Sequence, residues 1–302
     1  MRKIGIVLLG VGAFLVVLAA LVKFYMAPSM TKTPLDVDST TYLAGDAELF
    51  DADTGGTKPV EVGAVSYTQV DGEKSDDEVA SWVNTTCVVN LGEHDVTECL
   101  SDDNPATISL STEYFATDRV SAEAVDNPTK YVPSGSGTPE GLMNKFPFDS
   151  EKKAYPYWDA TLGGVVEVEF DGTDTIDGLE VYKYQQLTVD EPIQVREGIP
   201  GTYSMDKTIY VEPVTGSIIH QVQHDVRKFE DGDTALDMQL AFTDEQQKEN
   251  VESSEDSVSQ LKLINATAPL VALILGLLAL IVGAVLSLRR GRGEHDSTYD
   301  EL

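Results

Sequence analysis

Positive charge is in short supply. Among 302 residues, 21 Lys and Arg stand against 51 Asp and Glu, a formal net charge of -30. Nucleic acid needs a surface of the opposite sign, so that partner is excluded. An anionic lipid surface is repelled by the same field. Histidine is scarcer still, at four residues. His220 and His224 have the spacing of a helical metal pair, but Ile218, Val222 and Val226 alternate with polar neighbours, as in a strand. Residues four apart in a strand stand about 13 Å apart, too far for one ion. His94 falls between the two cysteines and His295 near the C-terminus. Asp51, Asp53 and Gly55-Gly56 begin like a calcium loop, but Val62 occupies the position of the closing Glu, so the stretch reads as a turn. No Gly-x-Ser-x-Gly elbow, P-loop or dinucleotide fingerprint occurs, and no catalytic carboxylate pair stands out from so many acids. The reading is a non-enzyme with no cofactor and no metal.

Cysteine is limited to Cys87 and Cys99. Two thiols are too few for a structural zinc site, whereas in an oxidising, exported compartment they suit a disulfide. Asn84 and Asn265 fit the glycosylation pattern, relevant only in a host that modifies such sites.

What the chain has instead is two long uncharged runs. Residues 4–22 follow Arg2 and Lys3, and residues 266–288 precede Arg289, Arg290 and Arg292. About 20 apolar residues cross a hydrocarbon core as a helix. The first run is long for a signal peptide and ends in Lys23-Phe24-Tyr25-Met26, a poor cleavage site, so it reads as an uncleaved anchor. Basic flanks stay in the cytoplasm. The layout is then a cytoplasmic start (1–3), a span (4–24), an extracytoplasmic domain (25–265), a second span (266–288) and a cytoplasmic tail (289–302) in a double-pass plasma-membrane protein. Gly5, Gly10, Gly12 and Ala13 in the first span and Gly276, Ala279 and Gly283 in the second offer small faces for packing.

The domain between the spans reads as mainly β (α+β). Val166, Val168 and Phe170 alternate with Glu167 and Glu169, and 179–189 repeats the pattern. Asp-Gly pairs at 71, 171, 177 and 231 suggest hairpin turns. Residues 208–212 and 217–229 form a hairpin about a Pro-Val-Thr-Gly turn, with weaker strands at 46–50, 61–70 and 237–242. Short helices are expected at 76–83 and 139–145, and a polar helix capped by Asp244 leads into the second span.

One segment departs from its surroundings. In residues 145–159, KFPFDSEKKAYPYWD, five aromatics crowd around two prolines. By residue chemistry it is either a corner plugging a β core or the rim of an apolar cavity. FPFDSEKKAYPYWD (146–159), LEVYKYQQ (179–186) and YVEPVTGSI (210–218), together with the layout of span, domain, span and Arg-rich exit, resemble the actinobacterial membrane family filed under the name porin PorA. The resemblance runs over nearly the whole chain and implies cell-envelope work, with members linked to polar growth and mycolate-glycolipid trafficking beside a membrane lipid exporter. The layout is also similar to that of class B scavenger receptors, whose β domain holds a lipid tunnel. Apolar helices and an acidic β part speak against an outer-membrane barrel porin. The expectation is a barrel-like β core that binds or passes an acyl lipid. Phe146, Phe148, Tyr155, Tyr157, Trp158, Val166, Val168 and Phe170 would line its cavity, and Lys145, Lys152 and Lys153 would meet a headgroup. A ligand-free scaffold for envelope-synthesis proteins and an extracytoplasmic hydrolase are the alternatives.

Overall fold

A computed structural model describes residues 2–94, 97–125 and 128–288. Met1 and the tail 289–302, with its arginines and His295, lie outside the described residues. In chain order the helices are α1 (Arg2–Leu21), α2 (Ala27–Met30), α3 (Pro128–Tyr131), α4 (Asp244–Lys262) and α5 (Ala268–Leu288). The chain divides into a helical unit from its two ends and a β unit, Lys32–Val258.

In the helical unit, α1 runs through a π turn at Val22–Met26 into α2, and another π turn at Leu263–Thr267 precedes α5. Both apolar helices are long enough to cross a membrane, with mean hydropathy 2.9. They pack antiparallel through glycine. A Cβ added to Gly12 would stand 2.7 Å from the Gly276 carbonyl oxygen, and one on Gly5 would stand 2.9 Å from that of Gly283. Any side chain there pushes the backbones apart, the reason small residues mark such interfaces. Gly10 has open space instead. The Lys23 ammonium donates to the Asn265 carbonyl at 2.9 Å.

The β unit is one curled antiparallel sheet of ten strands: β1 (Asp38–Asp51), β2 (Gly56–Val70), β3 (Val79–Asn90), β4 (Thr107–Asp118), β5 (Tyr155–Asp159), β6 (Gly164–Ile176), β7 (Leu179–Arg196), β8 (Ile199–Glu212), β9 (Ser217–Phe229) and β10 (Thr234–Phe242). Their order is β4-β3-β2-β1-β10-β9-β8-β7-β6-β5. The connection between β4 and β5 ties the two edges together. Thr117 of β4 bridges Ala124, Glu123 bridges Leu142, and Leu142 bridges Tyr157 of β5. The half-barrel is thereby laced shut over part of its length, which leaves less edge exposed to other chains.

Register places defined rows of side chains on the inner face, because alternate residues share a face. One row runs Gln186, Lys207, Gln223, Leu240, Gly45 and Val62 across β7, β8, β9, β10, β1 and β2. On the opposite face, α4 lays Val251 against Leu179, Val181 and Ile219. The Asn250 side-chain amide donates to the Ile218 and Ile219 carbonyls, which fixes the helix along β9.

Several local expectations are corrected. Residues 76–83 are a turn followed by β3, because Asp76 accepts from the Glu78 and Val79 amides and the β-prone run from Val79 pairs with β2 and β4. Residues 139–145 are not helical, since Leu142 is used in the edge-lacing bridges. Asp171-Gly172 does not end a strand; it forms a bulge inside β6, and the hairpin turn falls at Asp177-Gly178. The weak strands at 46–50 and 61–70 are parts of β1 and β2, of 14 and 15 residues. Thr243, not Asp244, caps α4, its hydroxyl accepting from the Gln246 amide at 3.2 Å. Cys87 and Cys99 are joined in a disulfide with Cα atoms 5.3 Å apart.

Candidate functional site

The three segments that carried the family resemblance meet at one end of the sheet. Phe146 is fully buried, and its ring stacks on Tyr184 at 4.5 Å between centroids and meets Tyr155 edge-on at 5.5 Å. Tyr155, Tyr157, Val168, Tyr184, Ile209 and Val211 complete the cluster, with Val166 and Phe170 packed at its margin. Backbone bonds hold it. The Phe146 amide donates to the Gly216 carbonyl at 2.8 Å, the Asp149 amide to Val214 at 3.1 Å and the Ser150 amide to Pro213 at 2.7 Å. Glu212, buried under the turn, accepts from the Val214 and Thr215 amides. Gly216 has φ +72, and a Cβ there would run into the Phe146 and Pro147 carbonyl oxygens. The Tyr184 hydroxyl donates to the Glu151 carbonyl at 2.7 Å. The rings fill the space between one another, so this end is a plug.

Of the eight aromatic and aliphatic side chains assigned to a cavity wall, six share this cluster. Phe148 and Trp158 stand outside it, half-buried. Trp158 bonds the Glu113 carboxyl, whose pKa desolvation raises. The three lysines do not converge. Lys145 lies 4.0 Å above the Phe148 ring and donates to Thr33 at 3.3 Å, and its desolvation pushes the ammonium down to about 8. Lys152 is exposed 5.0 Å from the Tyr182 ring, and Lys153 pairs with Glu151 at 2.5 Å.

A polar belt follows along the inner face. Asp159 accepts from the Gln186 amide at 2.6 Å and the Tyr203 hydroxyl at 3.0 Å. Gln186 is fully buried, and its amide oxygen has no partner among the described residues. Lys207 stands over the Tyr157 ring at 5.6 Å; desolvation lowers its pKa against the pull of Asp159 and Asp225.

The other end is open. A cleft of about 530 Å³ is lined from eight strands and the turns beside them: Leu49, Phe50, Val60, Ile108, Val195, Ile199, Phe229, Leu236 and Met238 form its apolar part, and Lys58, Arg196 and Arg227 bring positive charge beside Asp51, Asn90, Glu93, Thr107 and Ser109. Four members of one inner row, Arg227, Leu236, Leu49 and Lys58, line it, and Tyr203 lies buried next in the row. Ile199 at the mouth and Ile209 at the plug are ten residues apart on β8, about 33 Å of extended chain. None of these residues was singled out from the sequence. They are spread from position 49 to 238, and no local pattern joins them.

His224 pairs with Asp237 at 2.7 Å, while His220 packs half-buried against Tyr210 and Phe242. Among the described residues no cluster of three or more His, Cys, Asp or Glu is placed to hold a metal ion.

Over residues 4–285 the chain matches the family model described as Porin PorA. It is similar to a protein named Porin PorA from Corynebacterium amycolatum, 28% identical across 61% of this chain and 56% of the relative. Another of the same name, from Corynebacterium resistens, is 22% identical across 62% of this chain and 66% of the relative. The chain thus spans between about half and two thirds of the length of the curated relatives it matches.

Proposed function

This chain belongs to the Porin PorA family of membrane proteins, and we propose that it is a membrane-anchored, non-enzymatic envelope protein whose β unit binds an acyl lipid. The observation that carries this reading is the open mouth: a cleft of about 530 Å³ that sets an aliphatic patch of Leu49, Val60, Ile108, Leu236 and Met238 beside polar and cationic side chains, in a strongly acidic chain. A cleft of that size is in the range that holds small ligands, and its gain on binding is roughly 0.8 kcal/mol per buried methylene. No covalent step is needed. The polar belt around Lys207, Gln186 and Asp159 bounds the apolar floor, so a chain is held at the mouth rather than led to the aromatic plug. In this reading both chain termini are cytoplasmic and the β unit is outside. A mycolate-type glycolipid, which the resemblance implies, is one ligand of this kind, and a lipid exporter is a fitting partner to load it. The test is native mass spectrometry of the full chain released from detergent micelles. One acyl-lipid adduct is expected, lost in Ile108→Glu/Leu236→Glu while circular dichroism is unchanged. An adduct that survives both substitutions, or none at all, rejects the reading.

The second reading is a channel. The relatives' printed name favours it, as does the hydrophilic inner row of Gln186, Lys207 and Gln223. Two helices enclose no aqueous path, so this requires several copies. Stepwise conductance of the purified chain in a planar bilayer, altered by Lys207→Glu, supports it.

A further inference from the structure

The mouth also carries information on the head of its ligand. The field of a chain with net charge -30 works against any anion, so an anion binds only where cations are concentrated and fixed. Lys58, Arg196 and Arg227 line one cleft. Arg227 is held in place: Nε and Nη2 donate to the two Asp225 oxygens at 3.1 and 2.7 Å, and Nη2 also reaches Thr161 at 3.5 Å. Its guanidinium lies 5.8 Å from the Tyr203 ring, and Asp225 is only 3% exposed. One edge of the planar fork is thus spent on a buried carboxylate. Nη1 makes no hydrogen bond among the described residues, and the side chain keeps 30% of its surface, on the wall of the cleft. Nη1 is thus a fixed donor for a charge-assisted hydrogen bond to a carboxylate or phosphate, with the second Nη2 N–H shared with Thr161.

Lys58 lies on the same inner row as Arg227, two strands beyond Leu236. Neither Lys58 nor Arg196 forms an ion pair among the described residues. Two acids share the lining, Asp51 and Glu93. The Asp51 carboxylate is turned into its own hairpin turn, where it accepts from the Asp53 amide and the Thr54 hydroxyl. That leaves Lys58 and Arg196 as the cations of the lining without an ion pair among the described residues, beside an Arg227 whose charge is balanced by Asp225, with Asp51, which Lys58 attracts, and Glu93 as the acids of the lining.

We infer that the mouth takes an anionic amphiphile. Its acid head meets the open edge of Arg227, with Lys58 and Arg196 at the rim, and its acyl chain lies over Leu49, Val60, Leu236 and Met238. This rests on the reading of the mouth as a lipid site and adds the sign of the headgroup to it.

The test uses the full chain in phosphatidylcholine nanodiscs with three diazirine-tagged probes: palmitate, hexadecyl phosphate and palmitate methyl ester. Labelled peptides are mapped after irradiation. Charge-assisted hydrogen bonds to a fixed guanidinium lead to an expected preference of about tenfold for the acids over the ester in the cleft peptides. Lys58→Gln/Arg196→Gln, at exposed positions, is expected to reduce acid labelling severalfold and leave ester labelling unchanged. Because Arg227→Gln strands a buried Asp225, its paired form Asp225→Asn/Arg227→Gln serves as the second variant, with loss of the acid preference expected. Labelling by only one of the two acids upholds the inference and identifies the head. Equal cleft labelling by acid and ester, unaffected by the substitutions, overturns the inference but keeps the lipid site. Labelling by all three probes without any enrichment in the cleft overturns both.

Discussion

The two ends of the curled sheet share β7, β8 and β9 and are packed in different ways. At one end, Phe146, Tyr155 and Tyr184 have ring centroids 4.5 to 5.7 Å apart, and the turn at Gly216 locks them from beneath. At the other, Leu49, Ile108, Leu236 and Phe229 are only partly buried around a cleft. Aromatic density alone therefore does not locate a binding surface. Rings that satisfy one another fill their own space, whereas the aliphatic side chains at the other end are left half-covered beside Lys58, Arg196 and Arg227.

The contrast makes its largest demand at the sealed end. Phe146→Ala removes a fully buried ring and is expected to cost about 3–5 kcal/mol, read as a lower urea midpoint of the full chain in detergent micelles. A cost under about 1 kcal/mol would mean that the plug is loosely packed and the two ends differ little.

Lys145 provides an intermediate effect with a defined sign. Its ammonium sits at about 8, below its ordinary 10.5, because it is desolvated. Below about 8 both folded and unfolded states hold the proton, and the native state carries the cost of the buried charge in full. Between about 8 and 10.5 the native state releases its proton first, so stability rises with pH across that window, by an amount on the order of 3 kcal/mol. Urea midpoints from pH 7 to 9.5 are expected to climb in the parent chain relative to Lys145→Met. Parallel profiles would place Lys145 in water.

The smallest effect belongs to the open end. Leu236→Ala, at a half-buried position, is expected to cost about 1 kcal/mol or less while weakening capture of an acyl probe. A loss as large as that of Phe146→Ala would mean that the mouth is part of the core and not a vacant site.

Much of the architecture was legible in one dimension. The uncharged runs marked the two helices, the alternation at 166–170 and 179–189 marked β6 and β7, and the Pro-Val-Thr-Gly turn marked the β8–β9 hairpin. β3 and β4 were harder to see, because β3 is buried or half-buried along its whole length and β4 carries Ser and Thr on its exposed half, so neither shows the clean alternation of a half-buried strand. The Asp171-Gly172 pair misled because a positive φ serves a bulge as well as a turn. The cleft was invisible for a different reason: its lining comes from eight strands or strand ends that only the sheet order brings together.

Composition and local periodicity by themselves determined that this chain has two apolar helices, a β-rich acidic middle and an aromatic segment that prolines keep from becoming helical. Those properties follow from neighbours in the chain, through hydrophobicity, side-chain alternation and fixed φ. Whether the aromatic segment is a rim or a plug, and where an open apolar surface remains, depended on which strands lie beside which. Only the tertiary structure decided that, by placing Tyr184 and Gly216 under Phe146 and by setting Phe50 and Phe229 edge-on at the far end, where a cleft remains beside them.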